Sequence, residues 1–247
     1  MIRHPLIRAL KRLGGWYECP KDQHGKRLGP LVGYTGRDEQ GRQKVGEIYT
    51  DFSVFEERPV ELDPFAQKLS LQVDAAEIAG KIDVFCGMPE GGRFLAGLQA
   101  LFTGNKDTRH IYPEKKVTHV GTETSPEISH LVWGRHKPEP GEQVALVEDA
   151  FNNFSTTEQA IRLVTTRGAR VVALVGLFNR STDIRRFYFY EDPAIGQIPI
   201  ICILEYAIPQ YLQDDPRVRE DVERGNVVWK PKFEKERLRA AMRAANT

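Results

Sequence analysis

Residues 144–161 constrain this chain more than any other stretch. Val144-Ala145-Leu146-Val147 is an apolar run that leads into two acids, Glu148 and Asp149. A short loop, Ala150-Phe151-Asn152-Asn153-Phe154-Ser155-Thr156, follows, and then a helical pattern through Glu158, Ala160 and Ile161. A continuous apolar run bounded by turn residues reads as a strand covered on both faces, because alternation is needed only where one face meets water. Ser155 or Thr156 marks the helix start, and Glu158 is placed to close a capping box from Ser155. Carboxylates at the end of such a strand, followed by backbone amides at a helix N-terminus, suit a sugar that carries a phosphate. The acids take ribose hydroxyls directly or through a metal, and the amides and helix dipole take the phosphate.

Strands alternate with helices around this stretch. Ile82-Asp83-Val84-Phe85-Cys86-Gly87 reads as a buried strand, Met88-Pro89-Glu90-Gly91-Gly92 as a tight loop, and 93–102 as a helix. Residues 170–178 and 198–204 are two more buried strands, and Asp63-Pro64 opens a helix running to about Ala79. This order predicts an α/β fold, a Rossmann-like parallel sheet with helices on both faces. Ahead of it, a helix over 5–13 stopped by Gly14-Gly15, and strands near 31–34 and 48–54, predict a small N-terminal flap or hood. Charged helices are expected over 217–224 and 234–245. The polar, turn-rich span 119–138 has the length of a functional loop. The chain divides as a single domain: hood 1–60, core 61–215, C-terminal helical extension 216–247.

Composition narrows the partners. With 247 residues and a formal net charge of +1, the chain carries no bulk basic field for nucleic acid. The three cysteines (Cys19, Cys86, Cys202) have no paired spacing, so they make neither a disulfide framework nor a zinc set and fit a reducing compartment. No apolar run approaches the roughly 20 residues that span a bilayer. The expectation is a soluble, cytoplasmic protein without nucleic-acid or membrane partners.

The motif over 144–156 resembles the phosphoribosyl-pyrophosphate (PRPP) motif of type I phosphoribosyltransferases, in which an apolar strand, an acid pair and two apolar residues precede a phosphate loop rich in hydroxyls and glycine. Glu148-Asp149 matches the acid pair and Thr156 the last hydroxyl of the loop. Over roughly residues 45–215 the order of units is similar to the orotate phosphoribosyltransferases. Residues 46–54 resemble their N-terminal strand, and Gly87-Met88-Pro89-Glu90-Gly91-Gly92 their pyrophosphate loop. Asn179-Arg180 resembles their Asp-Arg pair, Gly196-Gln197-Ile198-Pro199 the lead-in to their last core strand, and Lys115, Lys116 and His119 the charged run of their mobile catalytic loop.

The resemblance implies the type I phosphoribosyltransferase fold and transfer of phosphoribosyl from PRPP to orotate in pyrimidine nucleotide synthesis, with Mg²⁺ as cofactor, in a homodimer. PRPP is then bound by Glu148, Asp149, Asn152, Asn153, Phe154, Ser155, Thr156, Gly91 and Gly92. Arg180 binds the base. Lys115, Lys116, His119 and Asp149 are catalytic, with Asp149 reaching the metal through ribose or water. Two alternatives stay open: a non-catalytic PRPP- or nucleotide-binding module of the same fold, and a phosphoribosyltransferase for another base. The sequence departs from the motif at Asn152, Asn153 and Phe154, where hydroxyls and glycine are usual. We expect Phe154 to keep negative φ, the asparagines to take the positive-φ role, and the ring to turn away from the phosphate onto the core or a neighbouring subunit. Glu90 places an acid in the loop that resembles the pyrophosphate loop; either neighbouring Arg93 offsets it or the loop does something else.

Overall fold

The computed structural model describes residues 3–119, 128–192 and 195–245. The chain forms two compact units, Met1–Glu57 with Ala207–Thr247, and Arg58–Tyr206. The first unit opens with α1 (Pro5–Leu13), which has Pro5 in its first turn and is stopped by Gly14 at φ +76°. Leu6, Ile7 and Leu10 bury its apolar stripe. β1 (Trp16–Glu18) pairs antiparallel with β4 (Ile48–Thr50), and β2 (Leu31–Arg37) with β3 (Gln43–Gly46). The strand expected over 48–54 stops at Thr50. Asp51 Oδ1 accepts the amide (3.2 Å) and hydroxyl (2.6 Å) of Ser53, and this turn starts the short helix α2 (Ser53–Glu56).

The second unit holds α3 (Pro59–Ala75), β5 (Val84–Gly87), α4 (Gly92–Phe102), β6 (Arg109–Ile111), β7 (Glu114–His119) and β8 (Ile128–Val132). After these come β9 (Gln143–Phe151), α5 (Ser155–Thr165), β10 (Arg170–Asn179), β11 (Phe187–Phe189) and β12 (Gln197–Glu205). The start expected for α3 at Asp63-Pro64 is corrected. Pro59 takes the first turn, where its missing N–H costs nothing, and Pro64 lies inside the helix. The helix ends at Ala75, just ahead of Glu77 at φ +57°.

A six-stranded sheet runs β11-β12-β10-β9-β5-β6, parallel throughout except for β11. From β5 the chain moves outward through α4 to β6; from β9 it moves the opposite way through α5 to β10. Parallel crossovers share one hand, so opposite directions place α4 and α5 on opposite faces. The side chains of β9 agree. Val144 and Leu146 join Ala160, Ile161 and Val164 of α5 in one core cluster, and Ala145 and Val147 are buried on the other face. All four strand residues are 0% exposed, and each full burial of such a Val or Leu contributes roughly 1.5–3 kcal/mol. Within the expected span 119–138, β8 pairs antiparallel with β7 as a β-ribbon, and 120–127 lie outside the described residues.

The first unit closes with α6 (Arg219–Glu223), β13 (Val227–Val228) and α7 (Lys235–Ala244). β13 adds parallel to β2 and completes a three-stranded sheet. Arg27 ties the two ends of the chain within this unit: its guanidinium meets Glu47 at 2.7 Å, Asp221 at 3.0 Å and the Arg217 carbonyl at 2.7 Å. Among the described residues no helix is long and apolar enough to cross a membrane. Arg27→Ala leaves two largely shielded carboxylates without their shared cation. We expect it to lower stability by about 2 kcal/mol in chemical denaturation; a loss too small to measure shows that the network does not hold this unit together.

Candidate active site

The direction of the chain reverses between β5 and β9, and α/β sheets open a ligand crevice at the carboxyl ends of strands on either side of such a point. Two loops meet there. Glu148 and Asp149 lie near the carboxyl end of β9, ahead of Ala150 and Phe151, and the tight loop Met88-Pro89-Glu90-Gly91-Gly92 leaves β5 beside them. The Met88 amide donates to the Val147 carbonyl at 2.8 Å, and the Gly92 amide returns to the Met88 carbonyl at 3.0 Å. A Cβ on Gly92 would lie 2.1 Å from the Val147 oxygen, and one on Gly91 would lie 2.1 Å from Asp149 Oδ2. The two glycines are therefore what let the loop lie flat against the acid pair. Glu90 is exposed, and its peptide with Pro89 is cis. Arg93 does not offset it as expected: its guanidinium lies 4.7 Å over the Tyr112 ring and reaches the Pro113 carbonyl at 3.4 Å.

The acids differ in state. Burial pushes the Glu148 carboxyl well above the usual carboxylate range, and the adjacent charge and hydrogen bond of Asp149 push it the same way. Asp149 Oδ1 accepts the Ala150 amide at 2.6 Å, which turns the carboxylate along the strand end. Gly176 of β10 lies opposite Glu148, and a Cβ there would meet the Phe151 ring at 2.7 Å. A glycine inside an apolar strand is the signal for such a close approach, and it is a site feature that the sequence reading passed over.

The loop before α5 corrects the expected conformation. Phe154, not an asparagine, takes positive φ (+58°). A bulky side chain in the left-handed region costs on the order of 1–3 kcal/mol. Its ring does turn onto the core: it stacks on Phe151 with centroids 5.4 Å apart and meets Tyr188 at 5.1 Å. The capping box does not form. Asn153 Oδ1 accepts the Ser155 amide (3.2 Å) and hydroxyl (2.9 Å), and Glu158 Oε1 takes the Tyr188 hydroxyl at 2.6 Å. The first intrahelical bond of α5 runs from the Glu158 amide to the Phe154 carbonyl at 2.9 Å, so the amides of Thr156 and Thr157 precede it and have no intrahelical acceptor. Asn152 lies in the same loop, between Phe151 and Asn153.

Arg180 follows β10. Its amide donates to the Phe151 carbonyl at 2.9 Å, which holds the residue beside the end of β9. Asn179 Oδ1 accepts the amide (3.2 Å) and hydroxyl (2.7 Å) of Ser181 and fixes the turn. Lys115 and Lys116 are on β7 of the two-stranded ribbon, opposite Leu131 and His130. Both are exposed, and as neighbours in a strand they point to opposite faces. His119 ends β7, and its side chain is outside the described residues. The structure thus brings together Gly91, Gly92, Glu148, Asp149, Asn152–Thr156 and Arg180, and leaves the two lysines on a separate ribbon. Tyr188, which the sequence did not single out, buttresses the loop from a strand far along the chain.

Among the described residues no three His, Cys, Asp or Glu side chains converge as a metal cage. Two adjacent carboxylates do suit Mg²⁺, which keeps most of its water and binds through one or two carboxylates plus ligand oxygens.

No family model matches the sequence, and no curated protein matches it. Solved structures match in shape. Orotate phosphoribosyltransferase from Aeropyrum pernix is 18% identical, with a TM-score of 0.52 over 81% of this chain and 93% of its own. Adenine phosphoribosyltransferase from Rhodothermus marinus is 17% identical, with a TM-score of 0.47 over 81% of this chain and 99% of its own. UMP synthase from Leishmania donovani is 14% identical, with a TM-score of 0.45, and the match covers 96% of this chain and 42% of that one. The architecture is the type I phosphoribosyltransferase fold. The resemblance read from the sequence holds at the level of that fold.

A raised Glu148 pKa has a measurable sign. The contribution is fully present below the unfolded value of about 4.3 and is lost as pH rises through the higher folded value. Glu148→Gln should therefore stabilise the unliganded protein at alkaline pH relative to the parent, with the gap closing toward pH 4. Denaturation midpoints that shift in parallel across this range would contradict the assignment.

Proposed function

We propose that this chain is a phosphoribosyltransferase that transfers the phosphoribosyl group of PRPP to orotate and releases pyrophosphate. The observation that carries this reading is the convergence, at one strand-order reversal, of an acid pair, a glycine loop flat against it and open helix amides. PRPP needs these three chemistries in this order: ribose hydroxyls on Glu148 and Asp149, pyrophosphate on the amides of Gly91 and Gly92, and the 5′-phosphate on the loop from Asn152 to Thr156.

In the reaction the C1′–oxygen bond to pyrophosphate breaks, and its electron pair leaves with pyrophosphate. A bond from C1′ to the base nitrogen forms, and the proton that nitrogen carried passes to solvent or to the departing pyrophosphate. Positive charge develops on the sugar ring, where the carboxylates stabilise it, and most of the acceleration comes from positioning and electrostatics. Mg²⁺ would be held by Asp149 through ribose or water and would neutralise charge on the leaving group. Because burial and the neighbouring Asp149 raise the Glu148 pKa, a ligand that favours its carboxylate lowers that pKa and couples binding to proton release. Lys115, Lys116 and His119 lie on the ribbon that would cover the leaving group; the alternation of β7 lets one of the two lysines face inward.

Orotate is an acidic base with a carboxylate, and Arg180 at the end of β10 offers planar, charge-assisted hydrogen bonds to such a group. Asn179 Nδ2 is buried with no acceptor among the described residues and adds a donor at the same turn. A non-catalytic PRPP-binding module is the second reading. It is favoured by one contact: the Asn153 carboxamide already occupies the Ser155 amide, a donor that a 5′-phosphate needs.

An assay of nucleotide formation from PRPP, Mg²⁺ and a panel of bases separates these readings. We expect turnover with orotate. PRPP binding without turnover on any base favours the module. Arg180→Ala should lower kcat/KM for orotate by about tenfold or more, the loss of one charge-assisted contact, with PRPP affinity kept. Equal losses for both ligands would show that Arg180 supports the turn rather than the base.

A further inference from the structure

β11 lies at the outer edge of the six-stranded sheet, yet one of its residues reaches the loop ahead of α5. Tyr188 pairs with Ile198 of β12, and its ring meets the Phe154 ring with centroids 5.1 Å apart. Phe154 also stacks on Phe151 at 5.4 Å, with the two planes only 15° apart. Phe151 in turn takes the space that Gly176 leaves open in β10, where a Cβ would meet its ring at 2.7 Å. The segment around β11 is fastened to α5 at two residues one helical turn apart. The Tyr188 hydroxyl donates to Glu158 Oε1 at 2.6 Å, and Arg162 Nε donates to the Tyr190 hydroxyl at 3.2 Å. Burial and the Glu158 carboxylate push the Tyr188 phenol up, so its hydroxyl stays a donor.

Phe154 needs these partners. At φ +58° it sits where glycine goes freely and a bulky side chain does not. Its carbonyl accepts the Glu158 amide at 2.9 Å, the first bond of α5, so the conformation of this one residue sets where the amides of the first helical turn point. Nothing local favours that conformation; the packing of the ring holds it. Removing the Tyr188 ring takes away one of its two aromatic contacts and lets the backbone relax toward negative φ. A glycine at 154 would need neither contact. We propose that Tyr188 is a positioning residue: by packing on Phe154 it keeps the left-handed turn and so aims the first-turn amides of α5 at the 5′-phosphate of PRPP. This rests on the reading of the loop as the phosphate site. It makes a residue of an edge strand part of that site, and it ties the dependence to the aromatic side chain at position 154.

A double-mutant cycle on the full chain tests this, with Tyr188→Ala, Phe154→Gly and the two combined, read by titration calorimetry with PRPP and Mg²⁺ and by chemical denaturation. We expect Tyr188→Ala to weaken PRPP binding about tenfold, and Tyr188→Phe, which keeps the ring, to weaken it less. In the Phe154→Gly background Tyr188→Ala should leave the affinity nearly unchanged. Denaturation midpoints should follow the same pattern, with a larger loss when position 154 is Phe than when it is Gly. An equal loss of affinity in both backgrounds overturns the proposal, because Tyr188 would then act by a route other than Phe154. Unchanged affinity in Tyr188→Ala overturns it as well. A parent chain that does not bind PRPP refutes the reading of the loop instead, and the denaturation cycle then decides the positioning claim: coupled losses uphold it and independent losses overturn it. If Tyr188→Ala fails to fold by circular dichroism, Tyr188→Leu takes its place in the cycle, since it fills the space without an aromatic face.

Discussion

The pairing of β9 between β5 and β10 is the constraint on which the rest of the second unit depends. Because the crossovers on either side of β9 leave in opposite directions, two strand-end loops face each other beside its carboxyl end. Burial of Val144, Ala145, Leu146 and Val147 holds the strand in place and, one step later, fixes two acids at its tip. The same packing withdraws Glu148 from water and raises its pKa. A carboxyl whose pKa is raised by burial beside a second carboxylate is unfavourable for stability alone, and such groups cluster at sites that receive ligands.

Phe154 shows how the loop tolerates a residue that its backbone does not favour. Its left-handed φ is a cost, and its ring offsets that cost by stacking between Phe151 and Tyr188, where each aromatic contact contributes about 0.5–1.5 kcal/mol beyond burial. The two quantities are similar, so the loop keeps its path without glycine. The outcome is a loop ahead of α5 whose shape depends on tertiary partners instead of backbone freedom, with Tyr188 tied to Glu158 at its flank.

The core of the sheet was legible because its strands are continuous apolar runs: 82–87, 144–149, 170–178 and 198–204 all became strands at nearly the expected positions. Local chemistry was less legible wherever two signals competed. The helix expected to open at Asp63-Pro64 begins instead at Pro59, and Pro64 lies inside it. Ser155 and Glu158 matched a capping box, yet Asn153 reached the Ser155 amide first. The ribbon of β7 and β8 carried no apolar alternation at Glu114-Lys115-Lys116 to announce it. Tyr188 was invisible for a different reason: its role exists only once β11 lies against α5, a contact between residues far apart in the chain.

Isothermal titration with PRPP and Mg²⁺, comparing the parent with a folded variant carrying both Glu148→Gln and Asp149→Asn, bears most directly on the central claim that the acid pair at the end of β9 receives the ribose. The account predicts that the parent binds PRPP and that the double variant, with its sheet intact, loses at least about tenfold in affinity, as removal of charge-assisted hydrogen bonds requires. Equal affinity in the two proteins would contradict it and place the ligand elsewhere.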